Sequence, residues 1–561
     1  MTKLNGHIIA KKSNAILENR ALLFFLGGII GAIIFIMIYG VKGINPTCDA
    51  WLYTNGDLTQ HYLGWQFFRD SDWSFPLGLT DGLVYPNAIS CMFTDSIPIF
   101  ALFFKLLSPI LPETFQYFGI WGIMSFFLQG AISILIIRKF TDNKIYCIIG
   151  SAFFALSPCV IQRMFGHTSL AGHWVILLTI LIWAYKDKIN TIPKSILAWG
   201  GLGFIAPLVH MYFVPMVFIM FAGWLLRDLI ETKKIIKQII IGISVIGITL
   251  ITMYVVGAFY GKADFTEGGL GMFGSNLNTF FNSFGYSKLM RALPMIDGAQ
   301  GEGFGYLGLG MILLCFYVVT QVIRYISENG IEESLSSIKT NYKLLIPLAI
   351  SLGMLTFLAV FPIVTINGRT LFTLTYPDFI VRKLSIFRAS GRFIWVLYYF
   401  VYTVAILAVT KLNKKSVGIS VMIICLFVQV VDLREVHFNL GSRFSYAGEA
   451  SQLSSDKWDE LGESCEHIVF APMDMGYLTR RAEYFSFARL AKEYDMTLSS
   501  FYVARVSYDE LNDYAQEQLD LLNEGKSDGK TIYVLNGDYV PTNPDVAKKV
   551  KKIDGYRIVV G

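Results

Sequence analysis

Charged residues are scarce in this chain: only 16% of its 561 residues are Asp, Glu, Lys or Arg, and the mean hydropathy is +0.51. The chain also contains many apolar runs of about 20 residues. They are too many to be buried in the core of one soluble domain, which excludes an ordinary soluble protein. The net charge of +5 is modest and gives no reason to expect a nucleic acid as partner. The seven cysteines have no metal-binding spacing. Cys48 and Cys91 lie in one predicted loop, where a disulfide and two free thiols both stay open.

The sequence also lacks a phosphate-binding P-loop and nearly lacks ionisable residues at the centres of its apolar runs, and both absences limit the functions to be expected. The glycine-rich segments 267–278 and 300–310 lack the lysine–serine ending and the preceding strand of a phosphate-binding P-loop. The apolar runs are nearly free of ionisable residues at their centres. Transporters commonly place such residues at the middle of the bilayer. This composition counts against a transporter or lipid flippase, which remains an alternative.

Long apolar runs are the main feature of the sequence. A run of roughly 20 apolar residues crosses the hydrocarbon core as a helix, because a helix bonds all its backbone groups internally. We therefore expect an all-α polytopic membrane protein with about 11 transmembrane helices. The runs are 21–41, 118–137, 145–161, 173–186, 195–209, 211–226, 238–258, 304–326, 343–363, 391–410 and 416–433. The shorter run 97–111 predicts a helix lying at the membrane surface, with Lys105 reaching towards water.

Basic residues predict the orientation. Cytoplasmic loops are rich in Lys and Arg, and with Lys3, Lys11, Lys12 and Arg20 inside, every alternate loop is basic. The N-terminus is then cytoplasmic, and the long loops 42–117, 162–172, 259–303 and 364–390 are outside. Residues 1–440 form the membrane domain, and 441–561 form a small extracytoplasmic α/β domain. That domain is indicated by the strand-like segments 467–470, Thr531–Leu535 and Tyr556–Val560 and the helical segment 508–524.

The first outer loop carries the candidate catalytic residues. Asp57, followed by the polar run that ends at His61, is the candidate general base for an acceptor hydroxyl. Asp95 is the candidate second acid, either an acid/base partner or a metal ligand. Each aspartate has an ordinary alternative role as the N-cap of the helix that follows it.

Other outer loops carry candidate binding residues. His167, His173 and His210 fall on outer turns, and Glu302 lies where a span begins; they are candidates for binding an acceptor, a phosphate or a metal, and structural hydrogen bonding is the alternative. The fourth outer loop is basic although it is predicted outside. Its arginines suit phosphate oxygens, either of a substrate or of membrane lipids. These are Arg369, Arg382, Arg388 and Arg392, of which the last two are expected one helical turn apart.

Several strings resemble a family of bacterial multi-pass membrane proteins without an assigned activity, related to the GT-C glycosyltransferases. They are Gly56-Asp57 through Phe68-Arg69, Phe93-Thr94-Asp95-Ser96-Ile97-Pro98, Gly166-His167 through His173-Trp174, Glu302-Gly303-Phe304-Gly305-Tyr306-Leu307-Gly308, and Phe387-Arg388-Ala389-Ser390-Gly391-Arg392-Phe393. The resemblance implies a GT-C-like fold in the bacterial cytoplasmic membrane.

The resemblance also implies a reaction: an inverting transfer of a sugar from polyprenyl phosphate to a cell-envelope glycan or lipid. Asp57 would be the base, Asp95 a second acidic residue, and Arg388 and Arg392 ligands of the donor phosphate. Glu302 and Tyr306 would contact substrate. Leu58 stands where several GT-C families have a second acidic residue, and no paired-carboxylate site is evident, so a divalent metal stays open. A non-catalytic envelope assembly protein is the third alternative.

Overall fold

A computed structural model describes residues 20–261, 270–412, 414–434 and 440–561. Lys3, Lys11, Lys12 and residues 267–269 of the glycine-rich loop lie outside the described residues. The described part is mostly helical, and ten helices are long and apolar enough to cross a membrane. They are Arg20–Tyr39, Phe118–Arg138, Lys144–Arg163, Ile192–Val209, Phe213–Thr232, Ile235–Val255, Leu309–Asn329, Tyr342–Val360, Ser390–Lys411 and Lys415–Asp432. The expected polytopic membrane protein is thereby confirmed.

Two of the expected spans are irregular. The run 173–186 forms the helix Trp174–Ala184 of 11 residues, which is about 16 Å long and too short to cross the bilayer alone. Ten helices of the described chain therefore have the length and composition of a span, and the expected count of about eleven stays a prediction. The span Lys144–Arg163 consists of the helices Lys144–Ala155 and Pro158–Arg163. It is interrupted just before Pro158, as expected for a residue that cannot donate a backbone hydrogen bond.

Glycines bring the first two spans together. A Cβ atom at Gly31 would lie 1.9 Å from the carbonyl oxygen of Phe126, and one at Gly27 would lie 2.5 Å from that of Gly130. Only glycine permits this approach between Arg20–Tyr39 and Phe118–Arg138. Since lipid offers little hydrophobic drive between helices, such close backbone packing supplies much of their association. The contact fixes both ends of the first outer loop against the helix bundle.

The first outer loop is well structured. After the 3-10 turns Lys42–Ile44 and Ala50–Leu52, it contains the helix Asp57–Asp70, the antiparallel hairpin β1 (Leu79–Val84) and β2 (Asn87–Ser90), and the 3-10 turn Cys91–Thr94. The expected surface helix is Pro98–Leu107, followed by the 3-10 turn Ser108–Ile110. Cys48 and Cys91 are both free thiols.

Lys105 does not reach towards water as the sequence predicted. The residue is only 4% exposed, because its ammonium group lies over aromatic rings. The Nζ atom is 4.2 Å from the ring centre of Phe68 and 4.8 Å from that of Trp73. Burial lowers the pKa of Lys105 to about 8. This cation therefore anchors the surface helix to Phe68 and Trp73 in the earlier part of the same loop.

The remaining segments on the side of the first loop are short elements between the spans, and the last of them follows the final span. They are the 3-10 turns Thr168–Ala171 and Gly298–Gly303, the hairpin β3 (Ile363–Ile366) and β4 (Arg369–Thr373), the helix Asp378–Leu384, the 3-10 turns Ser385–Phe387, Ser390–Phe393 and Arg443–Ser445. At the opposite end of the bundle, the helix Ile331–Thr340 joins two spans. The final two spans are the helices Ile394–Leu412, which continues from Ser390–Phe393, and Lys415–Asp432.

The C-terminal part is the expected α/β domain. Its five-stranded sheet has the order β6-β5-β7-β9-β8, in which β5 runs parallel to β6 and β7, while β9 is antiparallel to β7 and β8. The strands are β5 (His467–Ala471), β6 (Thr497–Leu498), β7 (Thr531–Leu535), β8 (Lys551–Ile553) and β9 (Tyr556–Val560). The helices are Lys457–Ser464, Gly476–Thr479, Arg481–Glu493, Tyr508–Asn523 and Pro544–Ala547.

The glycine contact between the first two spans can be tested by substitution. Gly31→Leu would force a side chain into the Phe126 backbone, and we expect it to destabilise the protein by about 1–3 kcal/mol. The matched control is Gly247→Leu in the span Ile235–Val255, where an added Cβ meets no heavy atom. The measurement is the thermal unfolding midpoint of the detergent-solubilised protein. Equal midpoints for the two variants would contradict the proposed packing.

Candidate active site

Asp57 and His61 lie on one face of the helix Asp57–Asp70, because residues four apart are neighbours on a helix. Gly56 is the N-cap and makes no side-chain capping bond, so Asp57 is the first helical residue and not the cap. Gly64, one turn further on, lets the next turn approach: its Cβ would lie 2.4 Å from Thr94 Cβ. The Ser96 hydroxyl then donates to the backbone carbonyl of His61 at 2.9 Å.

This approach brings Asp95 beside the helix. Asp95 has a left-handed backbone with φ 52°, a conformation that Asp tolerates better than most residues. It ends the turn Cys91–Thr94 and does not cap the next helix, whose N-cap is Ile97 without a capping bond. Ile97 also has a positive φ of 54°, which is strained for a β-branched residue. Strain of this kind is concentrated at functional sites.

Three imidazoles face the Asp95 carboxylate. His210 Nε2 lies 3.4 Å from it, His167 Nδ1 3.6 Å and His61 Nε2 3.8 Å. Burial lowers the pKa of His61 to about 4 and that of His210 to about 3, so both rings are neutral at pH 7. Burial alone would raise the pKa of Asp95, but the surrounding imidazoles hold it below its ordinary value. Asp95 is therefore an ionised carboxylate surrounded by three imidazole rings.

His167 joins this group to two further carboxylates. Its Nε2 atom is 3.4 Å from Asp57 Oδ2 and 4.0 Å from Glu302 Oε1. The ring thus stands between the two aspartates of the first outer loop and an acid of the third. The side chain of Asp57 is 24% exposed, while that of His61 is completely buried. Asp57 is accordingly a carboxylate at the edge of the group and within reach of solvent.

Glu302 holds two buried arginines. Its Oε2 atom accepts from both Nε and Nη2 of Arg392 at 2.8 Å and lies 3.1 Å from Nη1 of Arg163. Burial would raise the pKa of Glu302, but the two guanidinium groups keep it well below its ordinary value. Arg163 was not among the predicted site residues. A cation at the end of the apolar run 145–161 was the available signal for it.

His173 and Tyr306 are not brought to this group. His173 is fully buried, and its Nδ1 lies 2.7 Å from the Tyr399 hydroxyl inside the helix bundle. The hydroxyl of Tyr306, also buried, donates to Asp432 Oδ2 at 2.8 Å. The structure therefore does not support the predicted substrate contact for either residue. Both satisfy buried polar partners, which is the structural alternative.

The predicted phosphate arginines are separated. Arg388 lies between the turns Ser385–Phe387 and Ser390–Phe393, so it is not one helical turn from Arg392 as expected. Arg388 is exposed, with its guanidinium 5.6 Å from the ring centre of Phe273, whereas Arg392 is buried against Glu302. Arg369 on β4 and Arg382 on the helix Asp378–Leu384 are exposed. Among the described residues, neither pairs with the carboxylates of the site.

The C-terminal domain contributes two residues that sequence reasoning missed. Arg481 Nη1 lies 3.6 Å from Asp57 Oδ1, and the Tyr502 hydroxyl lies 3.5 Å from the same oxygen. The Arg481 guanidinium is stacked 4.1 Å from the centre of the Tyr502 ring. No sequence signal linked these residues to a loop so distant along the chain.

The site has the donor set of a divalent cation. One ligand atom from each of His61, Asp95 and His167 lies within 4.8 Å of the others. Both ring nitrogens of His61 and Nδ1 of His167 are buried and have no hydrogen-bond partner, although buried polar atoms are nearly always paired. Two imidazoles and a carboxylate are common ligands of zinc and related metals. These residues therefore fit a metal ion.

The sequence matches two family models. Residues 28–434 match the model described as a domain of unknown function, DUF6311, and residues 457–561 match the DUF6311 C-terminal domain. The chain belongs to the DUF6311 family. This confirms the resemblance to a family without an assigned activity. No curated protein shows significant sequence similarity to the chain.

Solved structures give a remote similarity. The archaeal oligosaccharyltransferase AglB from Archaeoglobus fulgidus, in complex with an inhibitory peptide and a dolichol-phosphate, aligns over 90% of this chain and 69% of its own at 11% identity, with a TM-score of 0.39. The apo form of the oligosaccharyltransferase from the same organism aligns over 88% and 69% at 11% identity, with a TM-score of 0.37. TM-scores this low support no assignment of fold or activity to the DUF6311 chain.

Metal binding at this site can be measured directly. After treatment with a chelator, we expect the purified protein to bind one Zn²⁺ or Mn²⁺ ion, and Asp95→Asn to weaken this binding by more than about tenfold, because it removes the anionic ligand. The matched control is His467→Gln, which removes a histidine of β5 bonded to Thr497. Isothermal titration calorimetry measures both. Wild-type affinity in Asp95→Asn would contradict the site.

Proposed function

We propose that this DUF6311 protein is a membrane glycosyltransferase. It transfers a sugar from a polyprenyl-phosphate donor to a hydroxyl group of a cell-envelope glycan or lipid, with inversion at the sugar carbon. The observation that carries the proposal is Asp57, a partly exposed carboxylate beside the buried Asp95 and its imidazoles. Such a pairing of one accessible and one enclosed acid suits a proton acceptor next to a charge-stabilising group.

Asp57 is the proposed general base. Its carboxylate accepts the proton of the acceptor hydroxyl while the acceptor oxygen forms a bond to the anomeric carbon of the sugar. The bond from that carbon to the phosphate oxygen breaks, and the polyprenyl phosphate leaves with the electron pair. His167, 3.4 Å from Asp57, orients the carboxylate. This contact supports the role because the base must be held within reach of the proton it accepts.

The negative charge on the leaving phosphate needs a cation. Among the exposed arginines of the fourth outer loop, Arg388 is the one closest in sequence to Arg392 of the site. A guanidinium group stabilises phosphate oxygens through forked hydrogen bonds. Arg392 instead orients Glu302. A divalent ion held by His61, Asp95 and His167 would supply further positive charge for the phosphate. Arg369, Arg382, His210 and Glu302 remain predicted to bind substrate, and their roles stay proposals.

The proposed location is the bacterial cytoplasmic membrane, with the N-terminus inside and the C-terminal domain outside. The distribution of the described basic residues supports it. Arg138 lies in the last turn of Phe118–Arg138, Lys186 follows the end of Trp174–Ala184, and Arg227 lies in the C-terminal half of Phe213–Thr232, whereas His167 and His210 precede the last two of these helices. Because cytoplasmic loops are enriched in such residues, the site is expected to face outwards.

A transfer assay tests the function. Purified membranes are given labelled polyprenyl-phosphate sugars, and Asp57→Asn is expected to lower transfer by at least about 100-fold, because asparagine cannot accept the proton. The matched control is Asp72→Asn, an exposed aspartate of the same loop, which is expected to keep full transfer. Full transfer by Asp57→Asn at equal protein level would refute the assignment of the base. Solute or lipid movement without transfer would indicate a transporter instead.

A further inference from the structure

The C-terminal domain is packed rigidly onto the first outer loop. Phe67 and Leu83 of the loop share one buried hydrophobic core with Phe485 and Leu498 of the domain. Backbone bonds reinforce this core, since the Tyr85 N–H donates to Leu498 O at 2.7 Å. A shared core of this kind holds two segments as one body. The C-terminal domain is therefore held in a fixed position against the loop and is not joined to it by a flexible linker alone.

A second set of hydrogen bonds holds the C-terminal domain at the edge of the site. The Ala504 N–H donates to Phe93 O at 2.8 Å, within the turn Cys91–Thr94 that Asp95 ends. Gln60 Nε2, beside His61, donates to the carbonyl of Tyr502 at 2.8 Å. Both bonds fix the segment that contains Tyr502 against the elements that carry Asp95 and His61. Tyr502 and the Arg481 stacked on it consequently have a defined position next to Asp57.

Arg481 differs from the two arginines of the membrane domain. Arg163 and Arg392 have side chains only 6% exposed and already bind Glu302 at 3.1 Å or less. The Arg481 side chain is 38% exposed, and its single contact with Asp57 is 3.6 Å long. An exposed ion pair of this length contributes little stability. Arg481 can therefore exchange Asp57 for another anion at low cost, whereas Arg163 and Arg392 cannot.

The segment that carries Arg388 also contacts the C-terminal domain. Arg505 Nη2 donates to the carbonyl of Ile386, two residues before Arg388, at 2.9 Å. Arg505 follows Tyr502 by three residues, so this bond brings the turn before Arg388 next to the segment that contains Tyr502. Arg388 is exposed and Arg481 is partly exposed. Both cations therefore lie at the junction of the two domains.

We propose that Arg481 and Arg388 together bind an oxyanion of the substrate beside Asp57. This inference rests on the proposed function and assigns the C-terminal domain a binding residue of the same site. Two guanidinium groups suit the oxygens of one phosphate or carboxylate. When Arg481 turns to this oxyanion, it leaves Asp57 Oδ1 with only the 3.5 Å contact from the Tyr502 hydroxyl, so that the acceptor hydroxyl can approach this oxygen. The oxyanion belongs either to the donor phosphate or to an acidic group of the acceptor.

The test uses the full-length protein and a short-chain polyprenyl phosphate in detergent micelles, with the uncharged polyprenol as ligand control. Arg481→Gln is expected to weaken polyprenyl-phosphate binding by about tenfold or more, because it removes a charged hydrogen-bond donor, and to leave polyprenol binding unchanged. Arg481→Lys, which keeps the charge but not the fork, should lie between the two. The matched control is Arg557→Gln, an arginine of the same domain whose guanidinium donates to the carbonyls of Gly537 and Tyr539.

The outcomes separate the two sources and the two proposals. Weakened polyprenyl-phosphate binding assigns the donor phosphate, whereas unchanged binding with a KM for the acceptor raised about tenfold or more assigns an acidic acceptor. If no transfer is found with any donor, weakened binding in Arg481→Gln still supports the oxyanion site, and only the proposed function fails. If Arg481→Gln changes neither binding nor either KM while its unfolding midpoint equals that of wild type, the oxyanion site is wrong.

Discussion

Two buried arginines and the partly buried Glu302 between them hold three segments of this protein together. Arg163 ends a membrane span, Glu302 lies in the turn Gly298–Gly303, and Arg392 lies in the turn Ser390–Phe393. In a buried site the removal of one ion leaves its partners uncompensated, at a cost of about 3–5 kcal/mol. Each segment is therefore held where the other two require it. His167 lies 4.0 Å from Glu302 and also contacts Asp57 and Asp95. The same three ions therefore help to position the imidazole that faces both aspartates of the first outer loop.

The two aspartates of that loop have different surroundings, and this difference gives them different chemistry. Asp95 faces three imidazoles and is held ionised by them, which suits a carboxylate proposed to bind positive charge. Asp57 faces His167 on one side and Arg481 with Tyr502 on the other. A substrate hydroxyl can replace the weaker of these contacts. Asp95 and Ile97 both have a positive φ, so the backbone is strained at the segment that holds the Asp95 carboxylate among the imidazoles.

Much of the fold follows from simple sequence patterns. Apolar runs of span length correctly predicted most of the membrane helices, and the strands Thr531–Leu535 and Tyr556–Val560 were predicted residue for residue. The run 173–186 gave a shorter helix than expected, because apolar composition alone cannot tell a buried short helix from a span. Trp174–Ala184 is packed inside the bundle, so its apolar surface contacts protein and not lipid.

The site was harder to predict for a physical reason. Asp57 and His61 are four residues apart on one helix, so local geometry already places them together. Arg388 and Arg392 have the same spacing, but the chain between them is not helical and the two side chains separate. His167 and His173 lie in the same predicted outer loop, yet only His167 reaches the carboxylates. Spacing identifies neighbours only where the secondary structure between them is known.

The boundary between the two family segments passes through the site. Asp57, His167 and Glu302 belong to the segment 28–434, whereas Arg481 and Tyr502 belong to the segment 457–561. Because the shared core with the first outer loop fixes the second segment, the charge next to Asp57 is set by a domain that has no membrane span of its own among its described residues. A separate binding module would not need to bury hydrophobic residues of the loop. The two segments are better understood as one functional unit, in which the membrane part supplies the acids and the C-terminal part a cation.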